Sequence, residues 1–255
     1  MNLLEEPWIP VRANLGSGPF RLLTLEELLC HDGDWRISLP RDDLELACIQ
    51  LLVCMVQVML LPENDTALLE RLRQPLSSEA LANGMEPCKS WYDFDHPTQP
   101  FMQTLGVKAA ESTPIQKLFI GLPEGNNHAF FNGVGEVTQV GATIAAIALF
   151  NQASNCPSFG GGFKGSLRGG APVTTLVMGS NLRETVWRNV LTLSRIRERL
   201  PGYQWDLSQD VPTWIKPIPE KATIQASEIG LARGLFWQPA HIELVREDAD
   251  VPCDV

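Results

Sequence analysis

Between Leu44 and Leu61 the chain is almost unbroken apolar sequence, and what interrupts that run decides what it can become. It opens on Asp42-Asp43 and carries Glu45, Gln50 and Gln57. A membrane span needs ~20 predominantly apolar residues without central polar groups, so these acids and amides point instead to a helix buried in a protein core. Asp42, Asp43 and Glu45 stand where the positive end of the helix dipole favours carboxylates, which makes them a helix start rather than a catalytic pair. With 255 residues the chain can wrap such a helix in an ample core, as one large domain or two small ones.

The flanking sequence supplies mixed elements. Pro7 to Arg12 and Phe20 to Leu23 are short apolar runs on either side of Asn14-Leu15-Gly16-Ser17-Gly18, which predicts a hairpin. Thr24 with Glu27 forms a capping box for a short helix through Leu29. Short amphipathic helices are expected at Thr66 to Arg73 and Ser77 to Ala82, and irregular packed chain from Glu86 to Gly106. Thr113-Pro114 predicts a helix over Ile115 to Ile120 that ends at Gly121, and Ala142 to Ala153 is an alanine-rich helix. Asn181 with Glu184 caps a helix running to about Leu200, with Leu182, Val186, Val190, Leu193 and Ile196 on its apolar face. Pro172 to Met178, Leu235 to Trp237 and His241 to Val245 read as strands. No repeat or linker divides the chain. The expected class is α+β: a single large mixed domain with an N-terminal hairpin, a long buried helix and long functional loops.

A net charge of −10 argues against a general nucleic-acid binder, because nonspecific affinity for phosphate comes mostly from Lys and Arg. Any such contact must be local. No Asp or Glu lies between Glu136 and Glu184, while Lys164, Arg168 and Arg183 fall inside that stretch. The six cysteines form no CxxC pair and no signal peptide opens the chain, which fits a reducing cytoplasm. Four histidines are scattered without metal-ligand spacing, and Cys48 and Cys54 on one helix would not converge on a metal. No Ser/His/Asp or Cys/His arrangement can be read from residue order, so nothing in the sequence argues for catalysis.

Two segments stand out. Phe159-Gly160-Gly161-Gly162-Phe163-Lys164-Gly165-Ser166-Leu167-Arg168-Gly169-Gly170 lets a backbone approach a ligand closely, exposes N–H donors and brings two cations to attract phosphate. A surface spacer is the bland alternative. Gly160, Gly162 and Gly165 satisfy GxGxxG, which raises a nucleotide-binding enzyme, but that fingerprint follows a strand and opens a helix, whereas this segment follows a helix. Lys164 also lacks the Walker A spacing. The second segment, Asn127-His128-Ala129-Phe130-Phe131-Asn132, offers aromatics for stacking and amides for base edges. Its phenylalanines could equally pin a loop to the core, and composition alone favours that.

Several strings taken together resemble one family. They are Asn2-Leu3-Leu4 with Trp8-Ile9-Pro10-Val11-Arg12, Ser38-Leu39-Pro40-Arg41-Asp42-Asp43, Pro100-Phe101-Met102-Gln103-Thr104, Ala148-Leu149-Phe150-Asn151-Gln152, the glycine segment, Thr213 to Ile218, and Gly234 to Leu244. They are similar to the CasA family, the large subunit of the type I-E CRISPR surveillance complex, Cascade. The resemblance implies a non-catalytic subunit without cofactor, assembled with guide RNA and the other Cascade subunits. Such a subunit helps read the protospacer-adjacent motif in target double-stranded DNA and offers a docking surface to the CRISPR helicase-nuclease. It also implies that Phe159, Gly160, Gly161 and Gly162 lie against the minor groove, with Gly161 closest. A glycine backbone suits that groove, which is narrow and degenerate in its code. Lys164 and Arg168 would complete the DNA-facing set. Asn127, Phe130 and Asn132, with Phe131 beside them, match the family loop implicated in docking near the guide's 5′ end.

Two departures qualify the likeness. Some relatives carry cysteine pairs resembling a zinc site, whereas Gln139-Val140-Gly141-Ala142-Thr143 holds none and Cys253 stands alone, so no metal is expected. Family members are also longer, so residues 1–255 would be an amino-terminal domain without the family's C-terminal helical bundle. Three readings remain: a nucleic-acid-recognition and scaffold subunit, a nucleotide-dependent enzyme using the glycine segment, and a pure interaction module.

Overall fold

The computed structural model describes residues 1–109, 111–122, 133, 135–155, 173–219 and 224–246. The hairpin is β1 (Ile9–Arg12) against β2 (Phe20–Leu23), antiparallel, with Ile9 opposite Leu23 and Arg12 opposite Phe20. A 3-10 turn over Asn14–Gly16 reverses the chain, and Gly16 at φ +99° supplies a backbone that a side chain would resist. Thr24 then starts α1 (Leu25–Leu29) through the expected capping box: its hydroxyl accepts from the Glu27 N–H at 3.1 Å while the Glu27 carboxylate accepts from the Thr24 N–H at 2.9 Å. A third strand, β3 (Arg36–Ile37), pairs antiparallel on the far side of β1. Two residues are too few to show a period, so the sequence did not announce it.

The apolar run is α2 (Asp42–Met59), in which Leu44, Ala47, Cys48, Leu51, Leu52, Met55 and Val56 are wholly inaccessible. Asp42, Asp43 and Glu45 occupy its first turn, as their charge requires. The side chains of Asn64 and Ser77 cap α3 (Asp65–Arg73) and α4 (Ser78–Met85). Glu86–Tyr92 is a 3-10 stretch, and Ile115–Leu118 is 3-10 rather than the expected α-helix. The alanine-rich helix is α5 (Ala142–Asn155), packed along α2 and buried from Ile144 to Ala153. Small side chains let the two backbones approach. One core joins residues from Leu3 to Phe236, and Tyr92, Phe101, Phe150, Trp214 and Phe236 meet in it with ring centroids 5.2 to 6.3 Å apart.

The single helix expected from Asn181 to Leu200 is two, α6 (Leu182–Arg188) and α7 (Leu193–Arg199). The backbone between them is committed elsewhere. Gln57 of α2 accepts from the Leu191 N–H at 2.7 Å and donates to its carbonyl at 3.2 Å, after which Thr192 caps α7. Nor does the segment from Val173 to Met178 join a ladder. The Asn189 side chain accepts from the Val177 N–H and donates to its carbonyl, both at 2.9 Å, and Val173 is 90% exposed. Leu235 closes α8 (Leu231–Leu235) instead of beginning a strand. His241 to Val245 is held by a bond from the Thr104 N–H to the Ile242 carbonyl (2.8 Å) and one from the Leu244 N–H to the Gln103 side chain (3.2 Å), again without a ladder. The class is α+β. Among the described residues no helix is long and apolar enough to cross a membrane.

Candidate functional site

Asn127, Phe130, Phe131 and Asn132 lie outside the described residues, as do Phe159, Gly160, Gly161, Gly162, Lys164 and Arg168. The frame from which each segment departs is described, and side-chain amides hold part of it.

The first segment leaves the core after Phe119, which is 2% exposed, and passes Gly121 at φ +81°, a left-handed position that turns the chain outward. The Leu122 N–H donates to the Phe119 carbonyl at 3.2 Å and closes that turn. On the return side, buried Gln116 donates from Nε2 to the Gly133 carbonyl and accepts through Oε1 from the Val137 N–H, each at 3.1 Å. One side chain thus ties the chain before the segment to the chain after it.

The second segment begins where α5 ends, at Asn155. A phosphate-binding loop uses the positive N-terminus of a helix, whereas this segment leaves from the opposite, negative end. A helix before the segment, where both motifs require a strand, counts against a dinucleotide or Walker site. On the return side the Gly179 N–H donates to Thr185 Oγ1 at 3.0 Å, and a Cβ at Gly179 would lie 2.7 Å from both the Glu184 Cβ and the Thr185 nitrogen. Only glycine permits that approach.

A run of side-chain hydrogen bonds crosses from one frame to the other. Arg41 Nη2 donates to the Ile120 carbonyl at 2.7 Å, and its Nε donates to Asp43 Oδ1 at 2.9 Å. Asp43 Oδ2 accepts from Asn151 Nδ2 at 3.0 Å. Asn151 Oδ1 accepts from Asn155 Nδ2 at 3.0 Å, and the same Nδ2 donates to Gln50 Oε1 at 2.7 Å. Asn151 and Gln50 are 1% and 5% exposed, so these amides sit where unpaired polar groups would be costly. The Arg41 guanidinium also lies 5.8 Å from the Phe119 ring centre. No motif in the sequence marks this network or Gln116. The available signal was an amide in an otherwise apolar run: Gln50, Gln57, Asn151 and Gln152 each break one.

Arg183, the third cation of the acid-free stretch, is unavailable to phosphate. It is buried, donating to the Arg71 carbonyl at 2.8 Å and pairing with Asp32 at 3.4 Å. Among the described residues no three His, Cys, Asp or Glu side chains gather as a metal site would require. Burial pushes the Cys88 thiol up to about 12 and the Cys48 thiol higher still, so both are poor nucleophiles.

The sequence model of the family described as CRISPR-associated protein Cse1 matches residues 2–254. The chain belongs to this family. Among solved structures, Cse1 of Thermobifida fusca matches with a TM-score of 0.70 at 22% identity, covering 97% of this chain and 49% of that one. CasA of Thermus thermophilus matches at 0.67 and 22% identity, with 97% and 49% covered. A chain of a CRISPR RNA-guided surveillance complex matches at 0.57 and 17% identity, with 88% and 48% covered. These likenesses establish that the Cse1 fold is shared. The chain spans about half the length of the structures it matches.

Proposed function

We propose that this Cse1-family chain is a non-catalytic subunit of an RNA-guided CRISPR surveillance complex, in which the glycine segment helps read the protospacer-adjacent motif in duplex DNA. The observation that carries the reading is the family match over residues 2–254, supported by the fold likeness to a chain of such a complex. Asn127, Phe130, Phe131 and Asn132 would dock the subunit to the guide and its neighbours, and a further surface would receive the helicase-nuclease. Gly161 would lie against the minor groove with its backbone, while Lys164 and Arg168 neutralise phosphate.

The test compares Gly161→Val and Lys164→Ala in the reconstituted complex, using duplexes with and without the motif at two salt concentrations. A side chain at Gly161 must clash with the groove floor or push the chain away, so Gly161→Val is expected to lose preference for the motif. Lys164→Ala is expected to weaken both duplexes alike, because a phosphate contact carries no base information. Equal motif preference for wild type and Gly161→Val would remove the segment from the recognition surface.

A further inference from the structure

The hydrogen bonds from Ile120 to Asn155 have a direction that chemistry fixes. A carboxylate only accepts, so Asp43 holds the Arg41 guanidinium with one oxygen and obliges Asn151 to present Nδ2 to the other. Asn151 must then offer Oδ1 to Asn155, whose donor in turn satisfies Gln50. Reversing any one amide would set donor against donor or acceptor against acceptor further along. Apolar residues would fill a contact between α2 and α5 more simply. A polar chain instead selects one arrangement of its members. Its two ends are the carbonyl of Ile120, beside the turn where the first segment departs, and Asn155, the last residue before the second.

We infer that Arg41, Asp43, Asn151 and Asn155 are positioning residues that tie the root of the docking segment to the root of the glycine segment, so that both engage the nucleic-acid assembly as one unit. This rests on the reading above that these two segments face guide and target. Neither Arg41 nor Asp43 needs to touch nucleic acid. They act by holding the point from which each segment starts, and a shift at one root is passed through Asn151 to the other.

The experiment measures motif discrimination, the ratio of affinities for duplex with and without the motif, in complexes reconstituted with wild type, Gly161→Val, Arg41→Gln, Asn155→Ala and the Arg41→Gln/Asn155→Ala double variant. Each end variant is expected to lower discrimination roughly five- to tenfold, and the double variant to lose no more than the more damaging single variant, because the chain is already cut. Losses that multiply in the double variant overturn the coupling. So does unchanged discrimination in both end variants where Gly161→Val loses it. A second readout needs no DNA: hydrogen exchange at the Leu122 amide, at the first root, is expected to quicken in Asn155→Ala at the second, while the sheet amides of β1 keep their rate. Unchanged Leu122 exchange also overturns the inference. If Gly161→Val keeps its discrimination, the recognition reading fails by itself and the exchange result alone decides the coupling. Arg41 and Asn155 are only half-buried, so the end variants are chosen over substitutions at buried Asn151.

Discussion

A Cβ on Gly230 would come within 2.2 Å of the carboxyl carbon of Asp210. That carboxylate is 8% exposed and cannot easily retreat, since it accepts from the Tyr203 hydroxyl at 2.7 Å and from the Ala232 and Arg233 N–H groups at 2.8 and 3.0 Å. Tyr203 in turn accepts from the Leu231 N–H at 3.0 Å, so the start of α8 hangs on these two side chains. Gly230→Ala is therefore expected to destabilise by about 1–3 kcal/mol, the usual range for forcing an extra carbon into a packed site. Urea unfolding measures it, and a change below about 0.5 kcal/mol would show that Asp210 moves aside freely. At residue scale the sequence was silent here. Gly230 and Asp210 are twenty positions apart, and a glycine preceding a helix has no local mark that distinguishes necessity from tolerance.

At the scale of elements, what was legible was local. The hairpin, the Thr24 box, the acidic start of α2 and the Asn181 cap all depend on residues within a few positions of one another, and each appears as read. The break between α6 and α7 was illegible because its cause is Gln57, 134 positions from Leu191. The strand expected at Pro172 to Met178 misled for a related reason: β-branched composition signals a surface that fits a sheet, yet a strand needs a partner and Asn189 took the hydrogen bonds. The candidate site divides likewise. Its glycine and asparagine segments were visible as unusual strings, and Gln50 and Asn151 as breaks in apolar runs, while the bonds these amides make became visible only once α2 and α5 lay side by side. The cap of α6 makes its own forecast. Glu184 accepts from the hydroxyl and N–H of Ser180 and from Arg188, which holds its carboxyl down from the ordinary 4.5 to about 2. A lowered folded-state value stabilises above pH 4.5, and that contribution is lost as pH falls toward about 2. Glu184→Gln is accordingly expected to flatten the acid limb of the stability curve between these values. An unchanged limb in chemical unfolding across that range would show that the cap carries no charge-dependent stability.

For the whole molecule, a net charge of −10 opposes phosphate, so under the proposed function any contact with DNA must be local. With Arg183 buried, the proposed reading leaves counterion release to Lys164, Arg168 and a few neighbours. Each neutralised phosphate contributes a slope of about −0.9 in a plot of log affinity against log salt, so duplex binding by the isolated chain is expected to be weak, with a slope shallower than about −4. A slope near −8 would reveal an extended basic track and overturn the picture of a local contact. The aromatic centre of the core has a consequence for how the protein comes into being. Tyr92, Phe101 and Phe150 meet their partners Trp214 and Phe236 only after most of the chain has been made. At about 5–20 residues per second a ribosome would take on the order of ten to thirty seconds between Tyr92 and Phe236. Throughout that interval the ring faces that Trp214 and Phe236 later cover stay open, so the emerging chain is expected to be prone to association until its last third is made.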